Sequence, residues 1–116
     1  MGVSKTENFT AHQNKMAQFS KVLAHPARIA ILEIIAQAKS CICGDLVNEI
    51  GLAQATISQH LKELKGIGLL KGRIEGASVC YCINQEKWDE FQETFRQFFN
   101  QPIMMEEENP NKNCCN

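Results

Sequence analysis

The chain has 116 residues, 44% of them hydrophobic and 22% charged, which suits one globular core and leaves little material for a second domain. No apolar run is long enough for a signal peptide or a membrane span, so we expect a cytoplasmic protein with reduced cysteines and no membrane partner. The net charge of -1 argues against a nucleic-acid binder. Residues 54–84 are nevertheless net positive, and the acidic Glu106, Glu107 and Glu108 lie in a polar tail.

Two helices are predicted in the first third of the chain. Apolar residues at helical spacing predict the first over residues 11–24: Met16, Phe19, Val22 and Leu23. His25 and Pro26 end it, and Pro26 suits the first turn of the next helix. That second helix has an apolar face formed by Ile31, Leu32, Ile34 and Ile35.

A short helix, a tight turn and a longer helix are predicted next. Asp45 is a good residue to begin the short helix, and Gly51 is a natural stop. The following helix, over residues 54–65, turns Ile57, Leu61 and Leu64 to one face. Two helices joined in this way describe a helix-turn-helix.

The outward face of the longer helix is a candidate DNA-reading surface. Gln54 and Gln59 can read base edges in a major groove. Thr56, Ser58 and Lys62 can fix the register on phosphates. The alternative is an ordinary solvated helix face.

The segment after this helix predicts a basic hairpin. Two strands are expected, over residues 69–75 and 78–84, around a turn at residues 75–77. Val79, Tyr81 and Ile83 share one face of the second strand. Such a hairpin is a wing, and Lys71 and Arg73 can reach the adjacent DNA backbone or minor groove.

The last helix is predicted over residues 85–100. Its aromatic residues recur every three to four positions and form a stripe, with Phe99 next to it. A small domain has little room to bury the stripe, so we predict a two-fold dimer interface shared with the first helix. The predicted interface residues are Met16, Phe19, Trp88, Phe91, Phe95 and Phe98. The alternative is that these aromatic residues only close the core of the monomer.

Together these elements predict a mainly α fold with a small β-hairpin: a winged helix-turn-helix over residues 11–100, forming a homodimer. Residues 1–10 are expected to be a flexible amino terminus, and residues 101–116 a flexible acidic tail that contains cysteines. We find no nucleophile with a base, no phosphate loop and no convergent catalytic carboxylates. The sequence therefore predicts a binding protein, with no enzymatic activity and no small-molecule substrate.

Cys41 and Cys43, one residue apart just before the short helix, are the main candidate metal ligands. A thiolate near a helix amino end is stabilised by the helix dipole, and soft ions prefer sulfur. Cys80 and Cys82 lie on one face of the second wing strand and are expected to be exposed, as a secondary soft-metal or redox pair. The alternative is that they are small strand residues that pack as weak hydrophobes.

With these motifs the chain resembles the ArsR/SmtB family of bacterial winged-helix repressors over roughly residues 15–100. Five stretches carry the resemblance: Leu23-Ala24-His25-Pro26-Ala27-Arg28-Ile29-Ala30-Ile31-Leu32, Asp45-Leu46, Ala55-Thr56-Ile57-Ser58-Gln59-His60-Leu61-Lys62-Glu63-Leu64, Gly68-Leu69-Leu70, and Gly76 through Val79, Tyr81 and Ile83. The resemblance implies a homodimer that binds a pseudo-palindromic double-stranded operator and leaves it when an inducer binds. His25 and His60 match structural or DNA-facing positions of the family, so neither is taken as a metal ligand.

The Cys41/Cys43 pair is similar to the C-x-C motif of the family's arsenic and cadmium branch. It implies a soft metal or metalloid as inducer: arsenite or antimonite first, with cadmium, lead or zinc as alternatives. The third local cysteine of the arsenic branch is replaced by Val47, and Gly44 is inserted before Asp45. The amino-terminal cysteines of the cadmium branch are also absent, and the last helix lacks the histidines of the zinc branch.

A third metal ligand must therefore come from elsewhere, or the site has none. Cys114 and Cys115 are the leading candidates, from the same or the partner subunit. The alternative function is a repressor of the same fold that responds to oxidants or persulfide through disulfide chemistry. The sulfide-sensing members place a cysteine in the second helix, where residues 26–39 contain none.

Overall fold

The structure is a computed structural model that describes residues 6–43 and 46–104. Within these ranges a 3₁₀ turn (Thr6–Asn8) precedes α1 (Ala11–Val22), α2 (Pro26–Ala38), β1 (Ile42–Cys43), α3 (Leu46–Ile50), α4 (Gln54–Ile67), β2 (Leu70–Glu75), β3 (Ser78–Ile83) and α5 (Gln85–Phe99). The fold is mainly helical with a small antiparallel sheet, as predicted. Cys114 and Cys115, Asp45 and the predicted tail beyond residue 104 lie outside the described residues.

The helix ends follow local capping chemistry. Thr10 and Gln13 form a capping box at the start of α1, with the Gln13 amide donating to Thr10 Oγ1 at 3.0 Å. The flexible segment expected over residues 1–10 stays a prediction. Pro26 occupies the first turn of α2, and Lys39 ends that helix in the left-handed conformation (φ 57°).

The sheet has three strands in the order β1-β3-β2, where the sequence predicted only the β2–β3 hairpin. In the added strand, Ile42 lies opposite Tyr81 and Cys43 lies opposite Cys80. A two-residue strand is too short to show alternation in the sequence, because its identity depends on the partner strand. Cys43 thus lies in an edge strand and Cys41 directly precedes it, at a place where the sequence predicted no strand.

The helix-turn-helix consists of α3, residues 51–53 and α4. Gly51 has φ 83°, which lets the chain turn between the two helices. Leu46 of α3 is buried together with Ile57, Leu61 and Leu64 of α4. This packing fixes α4 against the core by one face and leaves its opposite face in solvent.

The core is closed by α1 and α5. The rings of Phe19 and Phe91 stack with centroids 3.7 Å apart, and both side chains are buried. Lys15 on α1 also forms an ion pair with Glu90 on α5 at 2.9 Å. Two of the predicted dimer residues, Phe19 and Phe91, therefore belong to the interior of the protomer, because the two helices pack on each other within one chain.

Candidate nucleic-acid interface and thiol cluster

The five predicted DNA-reading residues of α4 share its solvent face. All five side chains are exposed: Gln54, Thr56, Ser58, Gln59 and Lys62. The Gln59 Nε2 atom donates to Glu63 Oε2 at 3.2 Å, so this amide is held along the helix. Donors and acceptors of this kind on a protruding helix suit the edges and phosphates of a major groove.

The wing places its basic residues beside this helix. Lys71 and Arg73 are exposed on β2, and Gly76 (φ 61°) forms the turn into β3. Arg73 is paired with Glu75, its Nε atom lying 2.6 Å from Glu75 Oε2. Because this pair is exposed, the free energy that holds it together is small, and a phosphate can compete for the guanidinium.

Four cysteines meet on one face of the sheet. Cys41 is disulfide-bonded to Cys82, and Cys43 to Cys80. The corresponding Cα atoms lie 4.3 and 4.0 Å apart. The second C-x-C, predicted as a separate exposed pair, is thus the partner of the first, and Cys80 is fully buried. The equal spacing of the two C-x-C motifs was the available signal, since residues i and i+2 of facing strands point to the same side.

The basic residues of the wing share this face with the cysteines. Lys71 is the cross-strand partner of Cys82, and Arg73 is the partner of Cys80. Two rows therefore cross the sheet, Cys41–Cys82–Lys71 and Cys43–Cys80–Arg73. Directly opposite side chains in antiparallel strands have Cβ atoms about 5 Å apart. A change of charge at the cysteines therefore changes the electrostatic potential at Lys71 and Arg73.

The oxidation state decides what the cluster can bind. With the four sulfurs in disulfides, the part of the chain that the structure describes offers no group of three or more His, Cys, Asp or Glu side chains able to hold a metal ion. Reduction would release four thiols on a single face, a donor set that suits soft ions and tetrahedral zinc.

An interaction that the sequence did not reveal connects α2 to α4. The Arg28 guanidinium makes two hydrogen bonds. Its Nε atom donates to His60 Nδ1 at 3.0 Å, and its Nη1 atom donates to the Val22 carbonyl at 3.1 Å. The His25 and His60 ring centroids lie 5.5 Å apart. Burial, followed by the charges of Arg28 and His25, lowers the pKa of His60. The neutral imidazole of His60 therefore accepts the hydrogen bond from Arg28, and this bond fixes α4 against α2.

The carboxylates of α5 are engaged by cations of the same region. Glu90 accepts from Lys87 Nζ at 2.9 Å, and this bond together with Lys15 lowers the pKa of Glu90. Glu93 accepts from Arg96 Nη2 at 2.6 Å, which lowers the pKa of Glu93. These ion pairs connect the two carboxylates to cations on α1 and α5.

Two of the other predicted dimer residues, Trp88 and Phe95, line an apolar cavity. It has a volume of about 320 Å³ and is lined in part by Leu23, Ile29, Leu32, Trp88 and Phe95. Phe98 is 41% exposed and Phe99 is 75% exposed at the end of α5. Helices α2 and α5 thus leave an apolar surface open beside the protomer core.

A helix-turn-helix with an exposed polar second helix and a basic hairpin beside it defines a winged helix-turn-helix DNA-binding regulator. Similarities to known proteins agree with this class of protein. The sequence profile described as "Bacterial regulatory protein, arsR family" matches residues 25–71. The chain belongs to the ArsR family, as its motifs predicted.

Individual relatives support the assignment. The chain is 34% identical over 87 residues to the cadmium resistance transcriptional regulatory protein CadC homolog of Staphylococcus aureus, covering 72% of this chain and 71% of that protein. It is 32% identical to the arsenical resistance operon repressor of Staphylococcus xylosus, covering 65% and 71%. These relatives are regulators, so the prediction of a protein that is not an enzyme is confirmed.

A mycobacterial regulator matches in both sequence and structure. The uncharacterized HTH-type transcriptional regulator Rv0081 of Mycobacterium tuberculosis is 37% identical over 67 residues, covering 58% of this chain. The chain spans only 59% of the length of that protein in the sequence match. The crystal structure of Rv0081 superposes with a TM-score of 0.62 and 30% identity, over 78% of this chain and 91% of the other.

Among the residues that the structure describes, no helix is long and apolar enough to cross a bilayer.

Proposed function

We propose that this protein is a cytoplasmic homodimeric repressor that binds a double-stranded operator and releases it when a soft metal or metalloid ion binds its reduced cysteines. The observation that carries the proposal is the shared sheet face, on which Cys80 and Cys82 lie opposite Arg73 and Lys71. The relatives named for cadmium and arsenical resistance favour ions of this class as inducers.

The expected DNA contacts follow the exposed side chains. Gln54 and Gln59 read base edges, while Thr56, Ser58 and Lys62 position α4 on phosphates. Lys71 and Arg73 bind the backbone next to the groove that α4 occupies. In a two-fold dimer, two such helices read half-sites about one helical turn apart.

The inducer site is proposed at Cys41, Cys43, Cys80 and Cys82. Arsenite or antimonite would take three of the thiolates, and cadmium, lead or zinc would take up to four. Four thiolates around a divalent ion leave a net charge of about -2 next to Lys71 and Arg73, which weakens their attraction for phosphate. Cys114 and Cys115 remain candidates for additional ligands, with no described position.

A mechanical coupling acts through the same residues. β3 carries two of the cysteines and half of the wing, while β1 leads through residues 44–45 into α3, the first helix of the DNA-binding pair. Drawing Cys43 and Cys80 onto one ion shifts β1 against β3 and alters the angle between wing and helix. A small shift suffices, because both must match one stretch of DNA.

A thiol-redox repressor is the second candidate. It is favoured by a specific observation: the four cysteines are paired as two cross-strand disulfides. Disulfides in cytoplasmic proteins are usually transient and catalytic or redox-sensing. In that function, oxidation fixes β1 to β3 and changes the wing, and no metal is needed.

The two functions separate in a DNA-release experiment. Reduced protein bound to a fluorescent duplex from its own upstream region is titrated with arsenite, antimonite, cadmium, lead or zinc, and anisotropy is followed together with thiolate-metal absorbance. We expect one of the soft ions to release the DNA and to lose at least about tenfold in affinity in the double variant Cys80→Ser/Cys82→Ser. A Cys114→Ser/Cys115→Ser variant removes the same number of thiols and tests whether these two cysteines contribute to the site.

Two outcomes contradict the metal proposal. If the ions release DNA from the Cys41→Ser/Cys43→Ser variant as they do from the wild type, the cluster is not the inducer site. If peroxide or a persulfide donor releases the DNA while no ion does, the redox function replaces the metal function.

A further inference from the structure

A pocket opens beside one of the two disulfides. It has a volume of about 490 Å³ and lies between the end of α2 and the start of α5, with Cys41 and Cys82 in its wall. Ala36, Lys39, Gln85 and Trp88 also line it. The other disulfide does not line this pocket, and of its two cysteines Cys80 has no exposed surface whereas Cys43 is exposed.

We propose that this pocket admits a low-molecular-weight anionic thiol, which exchanges with the Cys41–Cys82 disulfide and opens the cluster from this side. Three observations support the proposal. The disulfide forms part of the pocket wall, the volume suits a small molecule, and Lys39 places an exposed ammonium group at the rim. The inference deepens the proposed function by naming the reductant class that prepares the thiols.

The exchange is a two-electron reaction. The thiolate of the small molecule attacks one sulfur of the Cys41–Cys82 bond, forming a mixed disulfide and expelling the other cysteine as a thiolate, which takes a proton from water. A second thiolate then attacks the sulfur of the small molecule in the mixed disulfide. The remaining cysteine is released as a thiolate, and the two small molecules leave as their own disulfide.

Lys39 has two effects on this reaction. Its positive charge attracts an anionic thiol, and it stabilises the thiolate that leaves during the first step. Lys39 ends α2 in the left-handed conformation (φ 57°). Glutamine at this position must adopt the same backbone conformation, so the substitution removes only the charge. A neutral thiol of similar size should gain little from the lysine.

The test measures exchange without DNA. Oxidised protein is mixed with 2-mercaptoethanesulfonate, which is anionic, or with 2-mercaptoethanol, which is neutral, and the reaction is followed by emission of Trp88, the only tryptophan of the chain. Acid quenching and peptide mass spectrometry locate the mixed disulfide. We expect it on Cys41 or Cys82, and a location on Cys43 or Cys80 alone overturns the proposal.

Charge and shape are tested by separate variants. Lys39→Gln should lower the rate ratio of the anionic to the neutral thiol by about fivefold, the effect of one nearby unit charge in water. Lys21→Gln changes the net charge equally from an exposed position of α1 and should leave the ratio as it is. An unchanged ratio in Lys39→Gln contradicts the role of the lysine and with it the proposal.

Ala36→Leu fills the pocket and should lower the exchange rate of both thiols by about tenfold. Ala38→Leu changes an exposed position at the end of the same helix and should leave both rates unchanged. Circular dichroism verifies that both variants fold, and equal rates in the two variants overturn the pocket route. Because DNA is absent from these measurements, normal exchange combined with failure of metal-dependent DNA release would reject the proposed function alone.

Discussion

At the residue scale, the contact between Arg28 and His60 shows how one side chain positions α4, the second helix of the helix-turn-helix. The two residues are 32 positions apart, and the bond from Arg28 Nε to His60 Nδ1 requires an unprotonated acceptor. The sequence identified both residues only through family motifs. Their contact depends on the crossing of α2 and α4, which no local pattern reports.

Acidification should weaken this contact. The pKa of His60 is lowered in the folded protein from its usual 6.5, so the unfolded chain binds the proton more readily. The resulting stability is fully present above about pH 6.5 and is lost as the pH falls through the lowered value. We predict that His60→Asn, which keeps an acceptor and does not titrate, loses less stability than the wild type between pH 7.5 and 5.5.

Urea unfolding at the two pH values measures this difference. The two proteins differ only at position 60, so the comparison isolates the effect of that side chain. Equal losses of unfolding free energy in the two proteins would show that His60 does not carry the pH dependence.

At the element scale, the junction between α4 and the wing determines how the two DNA-binding parts are joined. Gly68 ends α4 with φ 96°, and the amide of Leu69 donates to the Leu64 carbonyl at 3.0 Å. A Cβ atom on Gly68 would lie 3.1 Å from Lys87 Cε. Both the backbone conformation and the space around this residue therefore favour glycine.

A pair of glycine substitutions tests the junction. Gly68→Ala should lower the free energy of unfolding by about 1–2 kcal/mol, because alanine is strained at a positive φ. Gly66→Ala, two residues earlier within α4 and with open space around its Cβ position, should instead raise it by up to about 1 kcal/mol. Chemical denaturation measures both, and changes of the same sign would contradict this account of the helix end.

At the scale of the whole molecule, the exposed aromatic end of α5 and the cavity beside it favour a two-fold dimer. The core of the protomer already contains Phe19 and Phe91, whereas Phe98 is 41% exposed. The cavity wall adds Ile29 and Trp88 to this apolar surface. Burial of such a surface against a second copy is the expected source of dimer stability.

A charge at this surface should separate the protomers. We predict that Phe98→Asp raises the dimer dissociation constant by at least about tenfold, so that dilution shifts the mass toward the 13.0 kDa of one chain. Ile74→Asp, an equivalent change at an exposed wing residue, should leave the mass unchanged. Light scattering over a dilution series measures both, and an equal response of the two variants would reject α5 as the interface.

The sequence by itself determined the helices, the turn glycines and the wing. Periodic apolar residues and capping residues act within a few positions of one another, so the bounds of α1, α4 and α5 were predicted to within a few residues. The same local signals identified the exposed polar face of α4 and the basic residues Lys71 and Arg73.

Only the tertiary structure decided which cysteines meet. Cys41 is bonded to Cys82 across 41 positions, and Cys43 to Cys80 across 37, because the register of a two-residue strand brings them together. Sheet register depends on long-range packing, which a sequence pattern reports only when a strand is long enough to alternate.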